Sequence, residues 1–441
     1  MRRLLFIFSF LSLLVVDGKA QEVETLTLED CLRIGIDNNL SLEGKRKEIQ
    51  KSKYGVSENR SKLLPQITVI AGYNNNFDPP VSVTDGSSYG VPYNITKTLQ
   101  HTANAGLEMQ MPLFNQTLYT SMSIAKVMEE ISRLSYGKAR EDIIMQISKM
   151  YYLGQVTAEQ IVLIKANITR LEELRDITQA FFDNGMSMEV DLKRVNINLE
   201  NLKVQYDNAQ AMMKQQLNML KYIMDYPAEK EFVLTPVNTD SITTVALTGL
   251  SENIYELQLS QSQVQLAEKQ KKIISNGYIP SLSLTGSWRY AAYTDKGYHW
   301  FHSGPSNHWF RSYGLGLTLR IPIFDGLDKT YKIKKAMIDI ENSKLAWENA
   351  RKSLQTQYLN AVNDLMNNQR NFKKQKDNYL LAEDVYTVTS DRYREGIASM
   401  TEVLQDEMQM SEAQNNYISA HYNYRVTNLM LLKLTGQIES L

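Results

Sequence analysis

Cysteine occurs once in 441 residues, at Cys31, which rules out a disulfide within the chain. Proline and glycine are also scarce, at 10 and 21 residues, while charged residues make up 22%. That balance disfavours a loop-rich enzyme and favours long helices bathed in solvent. Neither sign of charge is in excess: 48 basic against 49 acidic residues leave no field to attract nucleic acid or an acidic substrate. Beyond the N-terminus no stretch reaches the ~18 consecutive apolar residues that a membrane helix needs. Ser-His-Asp order, a Gly-rich phosphate loop, HExxH and any arranged acid-base pair are absent as well. The chain therefore reads as no enzyme and calls for no cofactor.

What is present begins with an export signal. Arg2 and Arg3 precede an apolar run from Leu4 to Val16, and Gly18-Lys19-Ala20 puts small residues where a signal peptidase needs them. Residues 1–20 are expected to be removed. Cys31 follows Glu29-Asp30, the wrong context for lipid attachment.

The rest of the chain is written twice. "MPLFNQ" at 111–116 and "IPIFDG" at 321–326 each end an alternating segment, and Leu64-Pro65-Gln66-Ile67 matches Ile279-Pro280-Ser281-Leu282. At nearly the same offset Phe182-Asp-Asn-Gly185 meets Tyr393-Arg-Glu-Gly396. A period of about 210 residues is too long for a solenoid unit and reads as a duplicated half. The boundaries that follow are a first repeat at 21–226, a linker at 227–251 and a second repeat at 252–441.

Each half places two strands before a long helix. Period-two alternation predicts strands at about 66–74, 102–111, 281–290 and 312–321; the row Tyr313, Leu315, Leu317, Leu319 against Gly314, Gly316, Thr318, Arg320 is the clearest. Roughly ten residues is the length of a tilted strand crossing a bilayer. The period then changes to threes and fours without a proline, predicting helices at 117–184 and 327–395 that return as 188–222 and 399–434 after Gly185 and Gly396. At 1.5 Å per residue each long helix spans about 100 Å. Short strands are expected near Thr25 to Leu28 and Phe232 to Leu234. The proline of each "MPLFNQ" and "IPIFDG" is expected to end strand pairing, since it cannot donate to a ladder. Pro112, Phe114, Pro322 and Phe324 would then mark the junction between strands and helices.

Four amphipathic strands cannot stand alone in a membrane, because an open sheet leaves edge groups unpaired in hydrocarbon. Single-chain barrels need at least eight strands, so this chain must associate, and three copies give twelve. The expected fold is an α+β membrane protein: four transmembrane strands per chain in a trimeric 12-stranded barrel, continued by an antiparallel coiled-coil helical barrel, with an internal two-fold repeat. The alternative is an exported coiled-coil spacer or adhesin without transport, which would have no need of the duplicated strands.

The sequence resembles the TolC family of outer-membrane efflux ducts over essentially the whole mature chain. The resemblance rests on the duplicated layout, "LTLEDCLRIGIDNN" at 26–39, "YIPSLSL" entering a strand, and "YREGIASMTEVLQDEMQMSEAQNNYISAHYNYRVTNLMLL" near the end. It implies a homotrimer in the outer membrane of a Gram-negative bacterium, extending into the periplasm. It also implies a periplasmic membrane-fusion adaptor and an inner-membrane pump of RND or ABC type as partners. Function follows as the passive exit duct of a tripartite efflux or type I secretion system.

The resemblance also carries site residues. Asp191 and Glu402 fall on the family's acidic gate positions and Tyr393 on its gate tyrosine, while Gly185 and Gly396 mark the helix tips where an adaptor docks. Ala398 and Gln405 depart from the best-studied member, which has an arginine and a second acidic residue there, so the lock must differ. Otherwise Asp191 and Glu402 only support helix ends. His299, His302 and His308 cluster in one loop and are weak candidates for zinc or copper, set against an external loop and an aromatic girdle that includes Trp288, Tyr290, Trp309, Phe310 and Tyr313.

Overall fold

The computed structural model describes residues 24–97, 99–237, 249–294 and 309–441. The expected signal and the loop carrying His299, His302 and His308 lie outside these residues. In chain order the elements are β1 (Glu24–Leu26), α1 (Leu28–Asn38), α2 (Leu40–Ser61), β2 (Gln66–Asn75), β3 (Val81–Asp85), β4 (Tyr93–Lys97) and β5 (His101–Phe114). There follow α3 (Gln116–Asp183), α4 (Glu189–Met224), β6 (Phe232–Leu234), α5 (Tyr255–Asn276), β7 (Ser281–Thr294), β8 (Trp309–Arg320), α6 (Asp328–Arg394) and α7 (Met400–Leu434).

The chain divides into two compact units, and both long helices contribute to each. The first comprises residues up to Leu40, Glu141–Thr248 and Leu359–Leu441. Here β1 pairs in parallel with β6, Leu26 opposite Leu234. Behind this ribbon Cys31, Leu32, Ile147, Leu220, Met224 and Leu429 form one core cluster. Burial pushes the Cys31 thiol up to about 12, which leaves it an inert packing group. A second cluster joins Leu171 and Leu174 of α3, Val195 and Leu199 of α4, Tyr386 and Tyr393 of α6, and Val403 and Met410 of α7. A packed row on α6 recurs every seven residues, with Leu365, Tyr386 and Tyr393 buried and Phe372 and Tyr379 half-buried. A strict seven-residue seam imposes a left-handed supercoil.

The second unit comprises Ser41–Arg140 and Gly249–Tyr358. Its centre is a four-stranded antiparallel sheet in the order β2-β5-β7-β8. A separate hairpin, β3-β4, stands on the connection between β2 and β5. This hairpin is not among the strands expected from the sequence: Val81 and Val83 in one strand and Tyr93 and Ile95 in the other alternate with Ser82, Thr84 and Asn94, but five residues are too few for the pattern to declare itself.

Side-chain caps start both long helices. Asn115 Oδ1 accepts from the Thr117 and Leu118 amides at 3.0 and 3.3 Å, and Asp325 Oδ2 accepts from the Lys329 amide at 3.2 Å. These are the fifth residues of "MPLFNQ" and "IPIFDG", so each of the two hexapeptides carries its own cap. Pro322 lies beyond the last pair of β8, Ser281 opposite Arg320. Pro112 behaves otherwise. Pairing with β2 ends at Gln110, but pairing with β7 runs on through Pro112 opposite Ser283 to Phe114 opposite Leu282, with a bulge between Pro112 and Phe114. Proline therefore ends only one of the two ladders; beyond the last β2 pair its missing N–H costs nothing on that side, and the bulge absorbs it on the other.

Candidate functional site

The sheet has two chemically distinct faces. On one, Ile67, Val69, Ala71 and Tyr73 of β2 stand opposite Met109, Leu107, Ala105 and Ala103 of β5. The same face continues through Leu284, Trp288 and Tyr290 of β7 to Tyr313, Leu315, Leu317 and Leu319 of β8. The outer strands leave this face bare: Ile67, Val69, Tyr313, Leu315, Leu317 and Leu319 are 61–79% exposed. A row of this kind in water would be an aggregation hazard, whereas in hydrocarbon it is the lipid surface of a membrane strand. One cation interrupts it, Arg311, whose guanidinium lies 5.9 Å from the Tyr313 ring at the strand end remote from the helices.

The opposite face carries Gln66, Thr68, Thr102, Asn104, Glu108, Gln110, Ser281, Ser283, Thr285, Ser287, Arg289, Thr318 and Arg320. This polar face borders a cavity of about 590 Å³, and Glu108 forms an ion pair across it with Arg289. Among the described residues neither β2 nor β8 has a strand on its outer edge.

The helix tips form the second candidate region, within the first unit. Gly185 and Gly396 both take left-handed backbone, φ 72° and 75°. The amides after them reach back five residues, Met186 N to Phe181 O at 2.7 Å and Ile397 N to Arg392 O at 2.8 Å. Both turns are thus the same glycine-terminated motif, which closes the helix and frees the chain to return.

The gate candidates find individual partners here. Tyr393 is buried against Phe181, and its hydroxyl donates to Thr178 Oγ1 at 3.2 Å, tying α6 to α3. Burial first, and the Asp191 charge after it, push the phenol above its ordinary range. Asp191 pairs instead with Arg194 at 3.3 Å, and Arg194 reaches Thr401 Oγ1 at 3.4 Å, linking α4 to α7. Glu402 serves as a capping box: its carboxylate accepts from the Ser399 amide while its own amide donates to Ser399 Oγ. Arg394 adds a bond to Glu173 at 3.1 Å between α6 and α3.

Further from the tips in the same bundle lies a partly buried polar group that no motif in the sequence marks. Arg170 bonds Glu383 at 3.1 Å and Asn167, which in turn meets Gln414 at 2.7 Å. Beside it Glu407 is 4% exposed, with Oε1 unpartnered. Burial raises its pKa and the Arg170 charge opposes the rise. Seven-residue spacing puts such polar positions among apolar ones, but which of them meet depends on the axial register of three helices. His421, also fully buried, accepts from Arg425 Nε at 3.1 Å and lies 3.5 Å from Glu159.

A family profile described as "Outer membrane efflux protein" matches residues 34–224 and 239–437. The chain belongs to the outer membrane efflux protein family. Outer membrane protein TolC of Vibrio cholerae serotype O1 is 21% identical over 396 residues, covering 87% of this chain and 84% of the relative. Probable efflux pump outer membrane protein TtgC of Pseudomonas putida is 23% identical over 382 residues, covering 81% and 75%. Among solved structures, one of CusC titled for conformational changes accompanying folding and transmembrane channel formation superposes with a TM-score of 0.77 at 16% identity, covering 96% of this chain and 95% of that one. This member of the outer membrane efflux protein family is thus a non-catalytic conduit of the outer membrane, with the long-helix and small-sheet fold of its relatives. A spacer or adhesin without transport is set aside.

Proposed function

We propose that three copies of this chain close into a twelve-stranded barrel in the outer membrane and continue as an antiparallel helical tunnel in the periplasm. Cargo passes through it passively once a periplasmic adaptor couples it to an inner-membrane pump of RND or ABC type. The reading is carried by the two-faced sheet with both edges bare. In hydrocarbon every backbone donor and acceptor needs a partner, so the outer edge of β2 must meet the outer edge of β8 in a neighbouring copy. Four strands from each of three copies give twelve, an even number that suits a bacterial barrel.

Exposed seams on the helices support the same association. Val190, Ile197, Val204, Met212 and Met219 on α4, and Tyr331, Ile338, Leu345, Leu359, Met366 and Leu380 on α6, are each 44–63% exposed. On α6 the spacing is seven throughout or a multiple of seven, with Lys352 and Lys373 filling the gaps. Purified in detergent, the protein should run as a trimer and conduct ions in a planar bilayer. A monomer that conducts nothing would end the proposal.

The helix tips are assigned to the resting constriction, with the turns at Gly185 and Gly396 and the exposed Met186, Met188 and Ile397 beside them as the surface offered to the adaptor. In this assignment Tyr393 and Asp191 each hold one helix pair closed, through Thr178 and through Arg194 with Thr401, and three Glu402 carboxylates around the axis favour cations. Tyr393→Phe combined with Asp191→Ala should raise the resting conductance several-fold. Unchanged conductance would remove the lock.

A further inference from the structure

Three charges stand on the polar face of the sheet: Glu108, Arg289 and Arg320. Glu108 and Arg289 are not directly opposite. Ser287 faces Glu108, and Gly106 faces Arg289, so the ion pair runs diagonally across the β5-β7 ladder. Gly106 makes this possible. A Cβ there would run into the Trp288 carbonyl and the Arg289 Cα and Cγ, so any larger residue would force the two strands or the Arg289 side chain to shift. Both partners stay solvated, 38% and 53% exposed, and both line the cavity on the polar face beside Thr68, Thr285 and Ser287. An exposed pair of this kind adds little to stability. Its physical effect is on the field over that face, where each charge cancels the other.

We propose that the Glu108–Arg289 pair determines the charge selectivity of the duct's barrel section by keeping its wall neutral at mid-strand. The inference rests on the barrel reading above, in which three pairs ring the lumen and only Arg320, at the strand end next to α6, adds fixed charge. A neutral belt favours neither sign of cargo at that level of the barrel. Removing one partner bares the other three-fold: Glu108→Gln leaves three guanidiniums at this level, and Arg289→Gln leaves three carboxylates.

The test is the reversal potential of wild type, Glu108→Gln, Arg289→Gln and the double variant in planar bilayers under a salt gradient at low ionic strength, where screening is weakest. Trimer content is checked in detergent for each. The expected result is a shift of about threefold or more in the cation-to-anion permeability ratio, towards anions for Glu108→Gln and towards cations for Arg289→Gln, with the double variant back near wild type. Channels that conduct but show no shift, or shift the same way in both single variants, overturn the neutral-belt assignment while leaving the barrel standing. Wild-type protein that forms no conducting trimer overturns the barrel reading, and this inference with it.

Discussion

Asp225 holds a left-handed backbone, φ 52°, at the end of α4, where its amide and that of Tyr226 close the helix on Tyr222 O and Lys221 O. About 210 residues on, Gly436 closes α7 with the same pair of bonds at φ 72°. The end of α7 thus uses glycine where the end of α4 strains an aspartate. Asp225→Gly should stabilise the protein by about 0.5–1 kcal/mol and Gly436→Ala should cost about 1 kcal/mol, read as opposite shifts in thermal unfolding followed by circular dichroism. Glu407 makes a pH-dependent case. Its folded pKa lies above its unfolded one, so the protonated carboxyl favours the fold, and that contribution is lost as pH rises from the ordinary glutamate range through the raised value. Glu407→Gln should accordingly melt higher than wild type near neutral pH, and the two curves should converge below about pH 4. A constant difference across that range would show that shape, rather than charge, sets the cost of this site.

At the scale of the element, the alternation of β2, β5, β7 and β8 was legible because a sheet with one apolar and one polar face demands opposite chemistry of successive residues. Leu317 and Thr318 are neighbours in sequence on opposite faces of β8. Leu317→Arg should cost about 2–4 kcal/mol if it lies at the bilayer midplane and so deplete trimer from the outer-membrane fraction, whereas Thr318→Arg should leave assembly intact. Equal losses would contradict the assignment of faces. The long helices were legible from the missing prolines, and their turns from glycine. Less was written locally elsewhere. The break between α1 and α2 at Asn39, whose side chain bonds the Ile223 carbonyl at 2.8 Å, answers to a residue far along the chain. Tyr393 was marked by the family resemblance, but its partner Thr178 lies on another helix, and only folding brings the two together. The persistence of the β5-β7 ladder past Pro112 likewise depends on which neighbour the proline faces, and a single strand's pattern does not say that.

At the scale of the whole molecule, the exposed seams of α4 and α6 place apolar side chains where a solitary protomer has no use for them. Ile338→Glu puts a charge into the α6 seam without touching a core residue, since Ile338 is exposed. It should abolish the detergent-stable trimer while circular dichroism still reports full helix content; a normal trimer would mean the seam faces water or lipid rather than another copy. In the proposed trimer the seams would meet neighbouring copies and the apolar row of the sheet would meet lipid, which would account for a chain with 43% hydrophobic residues leaving so many of them uncovered on its own.

In the proposed barrel, the edges of β2 and β8 that are bare among the described residues would also fix an order of events. A lone sheet entering the bilayer would carry two rows of unanswered backbone groups into hydrocarbon, each costing several kcal/mol. Entry into the membrane would then wait until partners are counted, and its rate should climb with a power of chain concentration well above the first. A cell making this protein slowly would hold a pool of secreted chains and few pores; past a threshold of synthesis, pores would accumulate abruptly.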